Sequence, residues 1–262
     1  MKSTVFLGGG RITAALLSGL QLAEYPGPIL VFDRHSEKLR QLKRRYGIAV
    51  ERNLHRAVAQ AGLLIVAVRP SSVADLLKEI GALNRALPAV SLAAGIPLAK
   101  LQARLGSPVR WARAMPSPLC RRRQGLTALA FSRGFPAKRA VKTLFGKVGM
   151  TIEIAEPKFD IFTVSYSPSH GYHALATLAQ SAEQLGLNRK IALTAAAHAL
   201  ADAIVNWREG DLSLEELLRE AATPGGTAAA VMDAMDRAGY RSALTRGLAA
   251  GVKRAQKNAM RA

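Results

Sequence analysis

Three consecutive glycines, Gly8-Gly9-Gly10, follow the apolar run Thr4-Val5-Phe6-Leu7 and lead through Arg11-Ile12-Thr13 into a helical pattern. Glycine at position 8 permits a tight turn, and Gly10 lets the backbone approach a pyrophosphate. The helix that opens at Arg11 and Ile12 offers free N–H groups and a positive dipole end to the same anion. The chemistry expected of this turn is the binding of dinucleotide phosphates; its third small position is filled by the bulkier Thr13. A second apolar run, Ile29 to Phe32, ends in Asp33, at the spacing where an acidic side chain binds the ribose hydroxyls of NAD. Arg34, Ser36 and Lys38 follow directly, and these donors suit a 2′-phosphate. The hexapeptide favours NADP and leaves NAD open. A plainer reading makes Ser36 a helix cap and leaves Arg34 and Lys38 in solvent.

Such a turn needs elements to hold it. Thr4 to Leu7, Ile29 to Phe32, Leu63 to Val68 and Ala89 to Ala93 are short aliphatic and β-branched runs that read as buried strands. Val109 to Ala112, Leu126 to Phe131 and Thr151 to Ile154 add further strands. Helical stretches lie between them: Ile12 to Glu24, Ser36 to Tyr46, Leu54 to Ala61, Ser71 to Ile80 and Lys138 to Val148. This alternation predicts βαβ units and a parallel sheet. Beyond about residue 156 strand-like runs disappear, and Ala-rich helical periods are broken at Pro168, Gly186, Gly210, Pro224 to Gly226, and Gly239. The expected fold is α/β: a Rossmann-like dinucleotide-binding domain over residues 1–156 with a parallel sheet, then an all-α domain over 157–262. The later helices are too few to bury both their faces, so a homodimer or larger homo-oligomer is expected.

Composition narrows the classes. The chain is 49% hydrophobic and 21% charged, a globular balance. Cys120 is its only cysteine, so neither a disulfide nor a thiolate metal site can form within the chain, and no metal is expected. No secretory leader is read ahead of Ser3, and no uncharged apolar run reaches the roughly 18–20 residues a bilayer span needs, so a cytoplasmic protein without a membrane role is expected. The net charge of +19 raises nucleic acid as a partner. Yet Lys and Arg are spread along the chain, only Arg121, Arg122 and Arg123 cluster tightly, and aromatic interleaving for base stacking is missing. Nucleic acid is set aside as a minority reading; a dinucleotide and a small anionic substrate account for the charge more simply.

The motifs run collinear with those of the pyrroline-5-carboxylate reductase family, which the chain resembles over nearly its whole length. Gly8-Gly9-Gly10 resembles that family's phosphate loop, and Asp33-Arg34-His35-Ser36-Glu37-Lys38-Leu39 its second-strand turn. Asn53 stands where the family places an asparagine on the adenosine ribose. Val66-Ala67-Val68-Arg69-Pro70 is similar to its Ala-Val-Lys-Pro turn, Ser91-Leu92-Ala93-Ala94-Gly95-Ile96 to its next strand end, Arg113-Ala114-Met115-Pro116 to its Arg-Ala-Met-Pro stretch, and Thr223-Pro224-Gly225-Gly226-Thr227 to its Ser-Pro-Gly-Gly-Thr signature. The resemblance implies NAD(P)H-dependent reduction of a cyclic imino acid, 1-pyrroline-5-carboxylate first, to proline. It places Ala67, Val68, Arg69, Pro70, Ala93, Gly95, Met115 and Pro116 around the nicotinamide. Gly225, Gly226 and Thr227, at a helix start, would hold the substrate carboxylate.

Three departures fall in one pocket. Met115-Pro116-Ser117-Pro118-Leu119 replaces Met-Pro-Asn-Thr-Pro, leaving Ser117 as the polar substrate contact. Val164-Ser165-Tyr166-Ser167-Pro168-Ser169-His170 replaces a Ser-Gly-Ser-Gly-Pro-Ala-Tyr segment, with only Pro168 clearly kept, and Ala228 lacks a family hydroxyl. They suggest a paralogue acting on a different imine or carbonyl compound. Tyr166 and His170 become candidates for proton donation beside Thr227, against the plainer reading of packed helix residues. His55 and His198 read as helix-face or core residues, and Cys120 has no base partner. A non-catalytic dinucleotide-binding protein is the remaining alternative.

Overall fold

The structure, a computed structural model, describes residues 2–261, with the Arg261 side chain left aside. Eight strands form one sheet: β1 (Ser3–Leu7), β2 (Ile29–Phe32), β3 (Ala49–Glu51), β4 (Ala61–Val66), β5 (Leu87–Ser91), β6 (Val109–Pro116), β7 (Gly125–Phe131) and β8 (Gly149–Glu153), in the order β3-β2-β1-β4-β5-β6-β7-β8. The order reverses between β1 and β4. Ligands of open α/β sheets bind at such a switch point, beyond the carboxyl ends of the strands.

The strands are continuous apolar runs because both faces are covered. Val5 and Leu7 of β1, with Leu64 and Val66 of β4, enter a core formed with α3 (Leu54–Ala59), α4 (Val73–Ile80) and α5 (Leu98–Arg104). Phe6 and Ile65 point the other way, into α1 (Arg11–Leu22), α2 (Ser36–Tyr46) and α6 (Lys138–Gly146). Each such side chain, at most 1% exposed, contributes about 1.5–3 kcal/mol by leaving water. The pleat fixes which core each residue joins, and a one-residue slip would swap them.

The structure corrects the sequence reading in three places. β7 runs antiparallel to β6, with Ala112 opposite Phe131 and Pro116 opposite Thr127. The connection, residues 117–124 with one 3-10 turn, can join antiparallel strands but is shorter than the dozen or so residues that a parallel crossover needs. β3 and α5 are additional, too short to show a period. Except at β2, which keeps its expected limits, strand limits also move by one to four residues, as at β4, Ala61–Val66 rather than 63–68, because ladder pairing rather than apolarity ends a strand.

The chain divides into two compact units, residues 1–165 with 250–262, and residues 166–249. In the first, α7 (Glu156–Ser165) is held to β6 by Arg113, whose side chain is 2% exposed. Its guanidinium bonds Glu156 at 3.1 Å and Asp160 more closely, and lies 4.3 Å from the centroid of the Phe159 ring. Such a pair is weak as a source of net stability, but its loss on one side strands a charge.

The second unit is helical: α8 (Pro168–Gln184), α9 (Arg189–Glu209), α10 (Leu214–Ala221), α11 (Thr227–Arg237) and most of α12 (Tyr240–Arg261). The starts carry their own caps: the Asn188 side chain accepts from the Ile191 amide, and Ser213 forms a capping box with Glu216. Only Ala179, Ala192 and Ala196 are buried in it, while Leu178, Ile191, Leu193, Ile204 and Trp207 stay well exposed. Apolar surface of this extent marks an interaction face.

Candidate dinucleotide-binding site

Gly8 turns the chain from β1 into α1 with φ +114°, and a Cβ there would sit 2.7 Å from the Ala67 carbonyl oxygen. Only glycine fits both the conformation and the approach of the β4 end. Gly10 is different: it is the extended N-cap residue of α1, and a Cβ on it would meet no protein atom within 4 Å. The first glycine is required by the protein's own packing, whereas the space beside Gly10 is free for a phosphate approaching the helix N-terminus. Thr13, bulky for the third position, is fully buried and donates its hydroxyl to the Gly8 carbonyl at 2.5 Å. It locks the turn from beneath.

Asp33 is nearly buried and spends both oxygens inside the chain. Oδ2 accepts from the Gly9 amide at 2.8 Å; Oδ1 accepts from the His35 amide at 2.8 Å and lies 3.0 Å from its Nδ1. Burial alone pushes this carboxyl up, but the His35 and Gly9 amides, the His35 ring and the Lys38 charge outweigh it and leave the group below its usual value. The carboxylate therefore braces the phosphate turn as well as standing at the ribose position. Gly9 was invisible to sequence reasoning as a partner, although the meeting of the β1 and β2 ends could have suggested it.

Around Asp33 the basic residues are accessible. Arg34 pairs with Glu79 of α4 across an exposed contact worth at most about 1 kcal/mol, weak enough to release for an anion. Ser36 is the first residue of α2, and the N-cap is His35, so the cap reading of Ser36 does not hold. Lys38 stands 3.9 Å from Asp33. Asn53 caps α3 by accepting from the Arg56 amide at 3.0 Å, which leaves its NH2 group for a ribose.

The remaining turns follow the same edge of the sheet. Ala67 to Pro70 leaves β4, Ala93 to Gly95 leaves β5, and Met115 and Pro116 end β6. The fold thus gathers Gly8, Gly10, Arg11, Ile12, Asp33, Ala67, Ala93 and Met115 at the carboxyl ends of adjacent parallel strands. Ser117 is otherwise engaged: its amide donates to the Leu126 carbonyl at 2.9 Å and its hydroxyl accepts from the Leu126 amide at 3.2 Å. Cys120, in the turn behind it, is fully buried, and burial pushes its thiol up to about 11. That suits packing and not nucleophilic attack. A cleft of about 560 Å3 lies at the amino-terminal strand ends, among Ser3, Tyr25, Ile29, Tyr46 and Ala49. It is remote from the glycine turn, so cleft size does not mark the site.

The helical unit carries the other candidates. Tyr166 precedes α8, Pro168 is its first residue, and His170 lies in its first turn. Thr227 opens α11 behind Gly225, at φ +77°, and Gly226, the N-cap. His55 is exposed on α3, and His198 is exposed on α9, 3.3 Å from Asp202.

Residues 156–258 match the family model for pyrroline-5-carboxylate reductase dimerisation, and residues 3–95 that for NADP oxidoreductase, coenzyme F420-dependent. The pyrroline-5-carboxylate reductase of Corynebacterium melassecola is 29% identical over 98% of both chains. The chain is similar to pyrroline-5-carboxylate reductases over nearly its whole length. The fold of the chain is shared with the pyrroline-5-carboxylate reductase of Coxiella burnetii, at TM-score 0.86 and 23% identity over 98% of both chains. It is shared also with the Plasmodium falciparum enzyme solved with NADP bound, at TM-score 0.85 and 18% identity over 98% of both chains. The dimerisation match accounts for the exposed apolar helices of the second unit and supports a homo-oligomer. Among the described residues no helix is long and apolar enough to cross a membrane, and no group of His, Cys, Asp and Glu could hold a metal ion.

Proposed function

We propose that the protein is an NAD(P)H-dependent reductase of C=N bonds that converts 1-pyrroline-5-carboxylate to proline in the cytoplasm, with NADP as the preferred cofactor. The observation that carries this is the coincidence of whole-length likeness to such reductases with a glycine turn shaped for a pyrophosphate at the switch point. Residues 1–156 bind the dinucleotide and residues 157–262 the substrate and the partner subunit.

When bound, the reduced nicotinamide supplies the hydride that reaches the imine carbon. The residues position and neutralise. Gly8, Gly10, Arg11 and Ile12 hold the pyrophosphate at the start of α1. Arg34 and Ser36, with Lys38, hold the 2′-phosphate; Asp33 fixes the turn between them, and Asn53 meets the ribose. Ala67, Val68, Arg69, Pro70, Ala93, Gly95, Met115 and Pro116 flank the nicotinamide. In the helical unit Gly225, Gly226 and the Thr227 hydroxyl hold the substrate carboxylate and Pro168 is a further substrate contact; Ser117 is the substrate contact of the sheet unit. Tyr166 or His170 supplies the proton that the ring nitrogen needs.

A second reading keeps the chemistry and changes the substrate to another cyclic imine or a keto acid. It is favoured by Ala228, which has no hydroxyl, and by Ser117, whose hydroxyl already serves the Leu126 amide. One assay decides: loss of nicotinamide absorbance with purified protein, pyrroline-5-carboxylate, and NADPH or NADH in parallel. Saturable oxidation, faster with NADPH, is expected. Cofactor binding without turnover would overturn the first reading and direct the assay to other imines and keto acids.

A further inference from the structure

Residues 156–165 and 250–258 fall inside the dimerisation match yet fold with the sheet unit. They converge on one turn. Gly95, in the turn that follows β5, has φ +76°, and a Cβ on it would lie 2.2 Å from the Ala255 carbonyl oxygen of α12. The backbone of α12 is therefore seated on the turn with no side chain between them, and Ala255 is 8% exposed there. One turn further on, Asn258 donates Nδ2 to the Ala94 carbonyl at 3.4 Å. Glu156, at the start of α7, accepts with Oε1 from the Leu98 amide at 2.9 Å and from Arg113 at 3.1 Å. The two helical segments are packed on each other as well, since a Cβ on Gly251 would lie 2.7 Å from Val164.

We propose that α7 and the end of α12 are positioning elements for hydride transfer, with Gly95, Asn258 and Glu156 as positioning residues that fix the turn from Ala93 to Leu98. This rests on the reading that the turn flanks the nicotinamide. Ladder pairing ends before the turn: the Leu92 amide bonds the Val66 carbonyl at 2.9 Å, and residues 94–97 have no strand beside them. Ile96 anchors them in the core beneath, and α7 and α12 hold the turn from the other side. A misplacement of about 1 Å at a reacting centre can lower a rate about 100-fold, so a turn held this way governs the rate more than the affinity. Both segments are continuous in sequence with the helices that self-associate.

The test compares the intact homo-oligomer with Gly95→Ala, Asn258→Leu and a chain ending at Arg254. Steady-state kinetics with NADPH and pyrroline-5-carboxylate are read beside the fluorescence of bound NADPH, which needs no turnover. Gly95→Ala is expected to lower kcat about 10- to 100-fold, and the other two variants several-fold. KM for NADPH should stay within about threefold, and the emission of bound NADPH should change in each variant. Unchanged kcat and emission in Asn258→Leu and the shortened chain would overturn the proposal, as would losses that only track the fraction of folded protein. Should Gly95→Ala fail to fold, those two variants decide. If the wild type binds NADPH but does not reduce pyrroline-5-carboxylate, the substrate reading fails, and the emission alone decides the positioning role.

Discussion

The backbone amide of Gly9 donates to the Asp33 carboxylate at 2.8 Å, so the residue expected at a ribose also braces the phosphate turn. A carboxylate between two backbone amides stiffens both loops at the switch point, and this contact turns a cofactor-selectivity residue into a structural one.

Asp33→Asn should destabilise the fold by about 1.5–3 kcal/mol at neutral pH, the magnitude of a hydrogen bond to a charged group. Because the folded carboxyl lies below its unfolded value of about 3.9, its stabilisation is complete above that value and is lost as pH falls through the lower folded one. Urea denaturation at pH 7 and again below pH 4 checks this: the gap between wild type and variant should narrow in acid. A constant gap would remove the carboxylate's charge from the account.

Gly8→Ala and Gly10→Ala should part company. The first forces a Cβ to 2.7 Å from the Ala67 carbonyl at φ +114°, and strain of about 1–3 kcal/mol should show in thermal melts. The second meets no protein atom, so the fold should melt within about 1 kcal/mol of wild type. Titration with NADPH should nonetheless show affinity lowered at least about tenfold, a loss of 1.4 kcal/mol.

Arg34→Ala should raise KM for NADPH about 10- to 100-fold, the loss of one charge-assisted bond to phosphate, and leave KM for NADH nearly unchanged. Stability should move by less than about 1 kcal/mol, since the Glu79 pair is exposed. Equal effects on the two cofactors would argue that Arg34 does not meet the 2′-phosphate.

Ile204→Asp with Trp207→Asp places two charges on the exposed apolar surface of α9, where these side chains are 51% and 50% exposed. Light scattering should report a smaller assembly and a lower melting temperature. An unchanged mass would place the interface on other helices.

Local pattern carried much of this protein. The Thr4–Leu7 run and the three glycines after it announce a strand, a turn and a helix by themselves, because glycine and apolar periodicity act within a few residues. The helix breaks at Gly186, Gly210 and Gly239 were equally local, and each lies between two helices of the structure. Three residues were not legible. Gly9 binds Asp33 only because β1 and β2 are neighbours; Gly95 needs its missing Cβ because residue 255 arrives from the far end of the chain; Ser117 turns its hydroxyl oxygen to the Leu126 amide through an antiparallel pairing.

The sequence by itself determined the strand–turn–helix alphabet, the acidic and basic residues after β2, and the change to helices beyond residue 156, since each follows from the spacing of neighbouring side chains. Tertiary structure alone decided which way Asp33 points, that β7 runs antiparallel, and that α7 and the end of α12 join the sheet unit. These depend on which distant backbones come within bonding or contact distance, and no local pattern encodes that.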